Sequence, residues 1–313
     1  MESSQEYLDI TDRESDFKFI ENETWRTEVG LRAIAYMYDD HSDDKNSHDN
    51  ILTLKDNIKY RLFSASHQYL VFLRELYGSE AYLQKIYKDN PRYLDAFPMG
   101  NPYFDRVELE LSSIFDNIIF QITSLFDYLS HVVCYITFRN KSNTLYWTRL
   151  AKASRGQNND FPNSEVKKII DSIDRRFVGK LYDYRSRLLH HKRDQHYFNG
   201  TTTLGEFKFH LRFIPSETAL KHFNLIAQDV DPNKRITLTY LASWLLKRTF
   251  IEIESILDVL AEEIRKNSNF HQNLHKPKRG ENTLLLASYN PETRYLEPAS
   301  DGLWKEYKTK TNK

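Results

Sequence analysis

The run YDYRSRLLHH, residues 182–191, holds the chain's single Arg-x4-His spacing, Arg185 followed by His190. An imidazole exchanges protons near neutral pH, and a guanidinium offers a permanently charged planar fork to phosphate oxygens. Together they match what metal-free cleavage of RNA requires. The 2′-hydroxyl must lose a proton to attack phosphorus, the leaving 5′-oxygen must gain one, and charge building up on the phosphorane must be stabilised. His190 is therefore expected to serve as general acid/base and Arg185 as the clamp on the transition state, with Ser186 as a hydrogen-bonding aide. Arg187, His191, Lys192 and Arg193 are candidates to contact the substrate, and Tyr184 is expected to stack on a base.

The surroundings of the motif are basic. Between Ser164 and Arg193 stand nine basic and four acidic residues, a local balance of +5 in a chain whose Lys+Arg and Asp+Glu are equal at 44 each. A solvated helix face is the ordinary explanation of such a run, and a phosphate-binding stripe is the sharper one. Five residues on an ideal α-helix turn the side chain by about 140°, so Arg185 and His190 do not share a face. Arg187 aligns better, with His190 at i,i+3 or His191 at i,i+4. Arg185 and His190 can converge only if the helix starts or bends near Arg185, or if two chains contribute.

This pattern, a tyrosine, an arginine, an apolar Leu-Leu step and paired histidines on a core helix, resembles the HEPN superfamily of all-helical nucleotide- and RNA-associated domains. That family's hallmark is an Arg-x4-6-His motif on a late helix of an antiparallel bundle. Here the residue after the arginine is Ser186, where the family commonly has Asn, Asp or His. The resemblance spans roughly residues 104–266. It implies a homodimer whose two motifs line one cleft, RNA as substrate, and an antitoxin or nucleotidyltransferase as a partner in toxin–antitoxin, defence or RNA-processing systems. The alternative is a catalytically inactive HEPN-like helical protein that binds RNA, a nucleotide or a protein partner; a plain oligomerisation scaffold is a third.

The elements that must position the motif are legible from apolar spacing. Only 9 Gly and 9 Pro punctuate 313 residues, which favours few, long helices. From the cap Asn50, apolar residues at Ile51, Leu54, Ile58, Leu62, Ala65, Tyr69, Phe72 and Leu76 form one helical stripe expected to stop near Gly78. A short helix, Glu80–Lys88, and a proline-rich crossing loop, NPRYLDAFPMGNP, follow. The central helix, about Phe104 to Phe138, carries Val107, Leu111, Ile114, Ile118, Ile122, Leu125, Leu129, Val132 and Ile136, with extra apolar positions that demand more than one neighbour. A third helix capped by Asn163 or Ser164 bears the motif. The period then changes to two: Phe207, Phe209, Leu211 and Phe213 alternate with polar residues and are expected to pair with His196–Thr203 in a hairpin. A last helix runs from about Thr237 to Asn267.

The resulting expectation is a mainly α fold, an antiparallel HEPN-like bundle with a small β-hairpin insertion at about 194–214. Residues 1–49 read as a peripheral segment ending in an acidic linker, 50–103 as an accessory long helix and crossing loop, 104–266 as the core, and 267–313 as an irregular tail. Asp127, a carboxylate in the central apolar stripe, is expected to form a salt link to the third helix and to support His190 or Arg185 from behind. His41, Asp43, Asp44, His48 and Asp49 have metal-capable side chains but no compact ligand spacing, and His271 with His275 falls in the tail, so neither a metal nor another cofactor is expected. A lone cysteine, Cys134, excludes a zinc finger and an intrachain disulfide. No P-loop, GxGxxG or GxSxG sequence occurs. The apolar stretch 111–138 is interrupted by Asp116, Asp127 and His131, which speaks against a membrane span, and the charged N-terminus lacks the pattern of a secretion signal. A cytoplasmic location is the expectation.

Overall fold

The computed structural model describes residues 7–41, 48–90, 102–138, 145–156, 161, 164–190, 196–203, 208–224, 234–268, 287–290 and 295–309. Helices α1 (Arg13–His41), α2 (His48–Asp89), α3 (Pro102–Phe138), α4 (Trp147–Arg155), α5 (Glu165–Ile173), α6 (Gly179–His190), α7 (Glu217–Asn224), α8 (Leu238–Lys266) and α9 (Ala299–Thr309) make up most of them. Strands are short: β1 (Tyr7–Leu8), β2 (Tyr197–Thr203), β3 (Lys208–Ile214), β4 (Arg235–Ile236), β5 (Ala287–Asn290) and β6 (Tyr295–Pro298). They pair as three two-stranded sheets, β1 with β4 in parallel, β2 with β3 and β5 with β6 antiparallel. The fold is thus a helical bundle with small β elements, as the apolar periodicity predicts. Its chain divides into two compact units, residues 1–20, 64–123 and 180–247, and residues 21–63, 124–179 and 248–313.

In the first unit, Phe72, Leu76, Phe115, Leu181, Tyr184, Phe213, Phe223 and Leu241 are buried. The hairpin supplies part of this core: Phe209, Leu211 and Phe213 face inward, while Lys208, His210 and Arg212 alternate outward. Its register sets Tyr197 opposite Ile214 and Thr203 opposite Lys208. Strand β3 would expose a row of backbone donors, but α2 covers it. Gln84 Oε1 accepts from the Phe209 N–H at 2.6 Å and Glu80 Oε2 from the Leu211 N–H at 2.9 Å. This corrects the expected stop near Gly78. The helix runs on to Asp89, because an exposed glycine costs a helix only about 1 kcal/mol, whereas the next turns bury Leu83 and hold the strand edge. The crossing loop 91–101 lies outside the described residues. Thr237 caps α8 by accepting from the Tyr240 N–H.

In the second unit, Leu31, Ile34, Met37, Ile58, Leu125, Phe126, Trp147, Ile170, Phe177, Ile253 and Tyr307 are buried. Two segments read as peripheral belong to this core. Helix α1 occupies most of what was expected to be a peripheral N-terminal segment, and its buried face includes Arg26, Thr27 and Glu28 beside the aliphatic residues. The two charged groups are partnered: Arg26 bonds Glu23 and Glu254 and packs over the Tyr307 ring at 4.8 Å, and Glu28 accepts from Arg32 and Lys59. The expected irregular tail contains β5, β6 and α9, and α9 brings Tyr307 so close to α1 that a Cβ on Gly30 would lie 2.9 Å from its ring. Residues 42–47 of the expected linker, and His271 with His275, lie outside the described residues. Helix α3 is long and apolar enough to cross a membrane by composition, but 61% of its apolar window is buried, as in a core helix.

Candidate functional site

The motif helix does not start where uniform periodicity would put it. Ser164 caps α5 by accepting from the Lys167 N–H, and after Ile173 the backbone widens into a π turn, Asp174–Val178, before α6 begins at Gly179. The Gly179 N–H donates to the Asp174 carbonyl, and a Cβ at residue 179 would sit 2.7 Å from that oxygen. Only glycine fits the closure. The start of the turn is held by the Asp174 carboxylate, which accepts from the Trp147 indole N–H at 2.8 Å and from the Arg155 guanidinium. Such π turns mark places where a helix is re-aimed, often at functional sites. The single signal in the sequence was a glycine inside an otherwise helical pattern.

From Gly179 to His190 the helix is regular, so the break lies upstream of Arg185 and the 140° separation of Arg185 from His190 stands. Lys180, Asp183, Arg187 and His190 follow one another at three- and four-residue steps and form a single polar stripe within about 80° of arc. Leu181 and Tyr184 point into the core. Arg187 and His190 are exposed, as is Ser186. Arg185 takes another direction: it is half-buried, its guanidinium 5.9 Å from the Phe120 ring and 5.8 Å from Tyr182, whose hydroxyl donates to the Thr123 carbonyl. The arginine on the face of His190 is thus Arg187. Tyr184, expected to stack on a base, is 0% exposed and packs on Phe223 and His222, so its ring is not presented to a ligand. His191, Lys192 and Arg193 lie outside the described residues.

A histidine that the sequence reading passed over packs on α6 beside Lys180 and Tyr184. His222, on α7, stacks on Tyr184 with ring centroids 5.3 Å apart, and its Nε2 lies 2.7 Å from the Lys180 carbonyl. A carbonyl only accepts, so Nε2 carries the hydrogen and Nδ1 is the lone-pair nitrogen of the neutral ring. Burial lowers the basicity of His222, the bond to Lys180 opposes that, and the charges of Arg187 and Lys180 lower it further against Asp183. Its position became visible only once α7 was folded against α6.

Much of the remaining basic run is used structurally. Lys168 pairs with Glu165, Arg175 with Asp171, and Lys167 donates to the Gly156 carbonyl. Arg176 and Arg248 both bond Glu252, which is fully buried. For these residues the ordinary reading of the charge run holds, and the phosphate-stripe reading narrows to α6. Asp127, in the second unit, accepts from the Trp147 N–H at 3.1 Å and so caps α4.

A second polar cluster lies in the first unit. A cleft of about 790 Å³ is lined by Tyr7, Asp9, Arg13, Glu80, His210 and Arg212, among others. His210 bridges two carboxylates, Nδ1 to Glu80 at 2.8 Å and Nε2 to Asp9 at 3.4 Å. Those two hydrogen bonds raise its pKa to about 9 against the cost of burial. With both ring nitrogens engaged, His210 is a staple rather than a proton shuttle. Among the described residues no three His, Cys, Asp or Glu side chains are grouped to hold a metal ion.

Comparison of the chain with protein-family models, with curated proteins and with solved structures finds no match.

Proposed function

We propose that this protein is a metal-independent endoribonuclease of HEPN type, with its reaction centre on the polar stripe of α6. The observation that carries the reading is the pairing of an exposed imidazole, His190, with an exposed guanidinium, Arg187, one turn earlier on the same face. His190 serves as general acid/base, and Arg187 takes over the phosphate clamp that the sequence spacing assigned to Arg185. A positioned proton-transfer group contributes about 10²–10⁴-fold to such a reaction. The resemblance adds a two-fold dimer with both motifs lining one cleft. In that assembly Arg185 would reach the phosphate from the second copy, a route its own helix denies it. The resemblance also suggests an antitoxin or nucleotidyltransferase partner; the lone cysteine and the charged N-terminus favour a cytoplasmic setting.

The test is cleavage of single-stranded RNA in EDTA by the wild type and by His190→Ala, Arg187→Ala and Arg185→Ala. Loss of about 10²-fold or more in His190→Ala, with a larger loss in Arg187→Ala than in Arg185→Ala, supports this arrangement. Light scattering reports the dimer. The second reading, an inactive RNA-binding protein, is favoured by Ser186 at the position where the family commonly has an amide, carboxylate or imidazole. It predicts salt-sensitive binding without cleavage.

A further inference from the structure

Burial of Ile58 and Leu62 in the second unit turns Tyr60, two residues from each, to the opposite face of α2. That face is aromatic and cationic. Trp25 on α1, Tyr60 on α2 and Tyr146 at the start of α4 are each more than half exposed, although an exposed patch of large rings is the unusual case at a protein surface. Contacts join them into one track. Lys59, beside Tyr60 in the chain, places Nζ 5.6 Å from the centroid of the Trp25 ring, and the Arg61 guanidinium lies 5.5 Å from Tyr60 and 5.9 Å from Tyr128 on α3. His131, one turn further along α3, has its ring centroid 6.5 Å from that of Tyr128 and 5.2 Å from that of Tyr146. All of these residues belong to the second unit.

We propose that this track binds single-stranded nucleic acid, with bases stacked on Trp25, Tyr60 and Tyr146 and phosphates held by Lys59 and Arg61. The ribonuclease reading makes RNA the expected strand, and the inference rests on it for that choice alone; no residue of α6 takes part.

The chemistry of the occupant follows from the alternation. Every base has a π-face, so a row of rings holds bases of any sequence, and cations set between the rings follow the phosphate backbone. Charge agrees with an anionic strand. Arg32, Lys55, Lys59, Arg61 and the exposed Arg149, three residues beyond Tyr146, stand against Glu28, Asp56 and Asp127. Those carboxylates are engaged: Glu28 is buried and accepts from Arg32 and Lys59, Asp56 pairs with Lys55, and Asp127 caps α4. A protein partner would call for a different surface, because charged residues, lysine among them, are depleted from the cores of protein interfaces.

The experiment is fluorescence anisotropy of the full chain with a fluorescein-labelled, 2′-O-methylated oligouridylate in EDTA. Lacking a free 2′-hydroxyl, this probe cannot be cut by internal attack, so binding is read apart from cleavage; an oligothymidylate provides the DNA arm. Trp25→Ala and Tyr60→Leu should each weaken binding about 10-fold, whereas Tyr60→Phe, which keeps the ring, should bind as the wild type does. Lys59→Gln should flatten the slope of log affinity against log salt by about 0.7, a change that a merely structural lysine would not produce. Thermal unfolding checks the fold of each variant; if Trp25→Ala is unstable, the contrast between Tyr60→Leu and Tyr60→Phe decides alone. Preference for one probe names the strand, and equal binding supports a track blind to the sugar. A wild type that binds neither probe, or affinity within about twofold of wild type in both ring variants, would overturn the inference even if RNA is cleaved. So would ring variants that turn a dimer into a monomer by light scattering while binding the probe normally, since the face would then belong to a second copy. Binding through the track by a protein that cuts no RNA would keep this inference and remove the ribonuclease.

Discussion

The His210 staple gives the first unit a stability that depends on alkaline pH in a calculable way. His210 is held protonated by Asp9 and Glu80, with its pKa raised to about 9 from the ordinary 6.5. A shift of that size corresponds to about 3 kcal/mol of linkage. The side chain is 40% exposed, and solvent screening reduces the usable part to about 1–1.5 kcal/mol. Because the folded-state pKa lies above the unfolded one, this contribution is complete below about pH 6.5 and disappears as pH rises through about 9. The two carboxylates act in the opposite sense. Burial raises the pKa values of Asp9 and Glu80, but hydrogen bonds from His210, from Thr237 and the Ile10 N–H at Asp9, and from the Leu211 N–H at Glu80 lower them further. Their contribution is present above the ordinary carboxylate range and is lost as pH falls through the lowered values. Urea unfolding of wild type and His210→Gln at half-unit steps from pH 5 to 10, followed by tyrosine fluorescence, measures the difference. The wild-type advantage should shrink by about 1 kcal/mol between pH 6.5 and 9.5. A constant difference across that window would refute the ion-paired imidazolium.

Three further outcomes follow from single sites. Gly179→Ala places a methyl group 2.7 Å from the Asp174 carbonyl oxygen; overpacking of about 1–3 kcal/mol outweighs a helix-propensity gain of about 1 kcal/mol, so urea unfolding should show a less stable protein. A more stable variant would mean that the π turn is not closed as described. Cys134 is buried and its thiol is pushed up to about 11 by burial, so iodoacetamide at pH 8 should label it slowly in the native protein and rapidly in urea. Equal rates would place the thiol at the surface. Arg187→Lys should retain RNA association yet lose cleavage, since an ammonium keeps the charge but not the planar fork; unchanged cleavage would remove the clamp from Arg187.

What the sequence determined by itself is the set of elements whose signals are local. The stripes at Ile51–Leu76, Val107–Ile136 and Leu241–Ile264 specify α2, α3 and α8 because burial on one face repeats every three or four residues. The alternation at Phe209–Phe213 specifies β3 for the corresponding reason at period two. Helices α1 and α9 were not legible, since part of their buried face is polar and is stabilised by partners distant in sequence, such as Arg26 with Glu254 and Lys308 with Asp258. The types of the site residues were likewise visible in YDYRSRLLHH, but their directions were not. Facing is set by where a helix starts and what it packs on. The π turn closed by Gly179, the aromatic seat of Arg185 and the arrival of His222 from α7 are tertiary facts. They decided that Arg185 stays turned away from His190, because where a helix bends and what it packs on depend on contacts distant in sequence, whereas the i,i+3 spacing already placed Arg187 and His190 on one face.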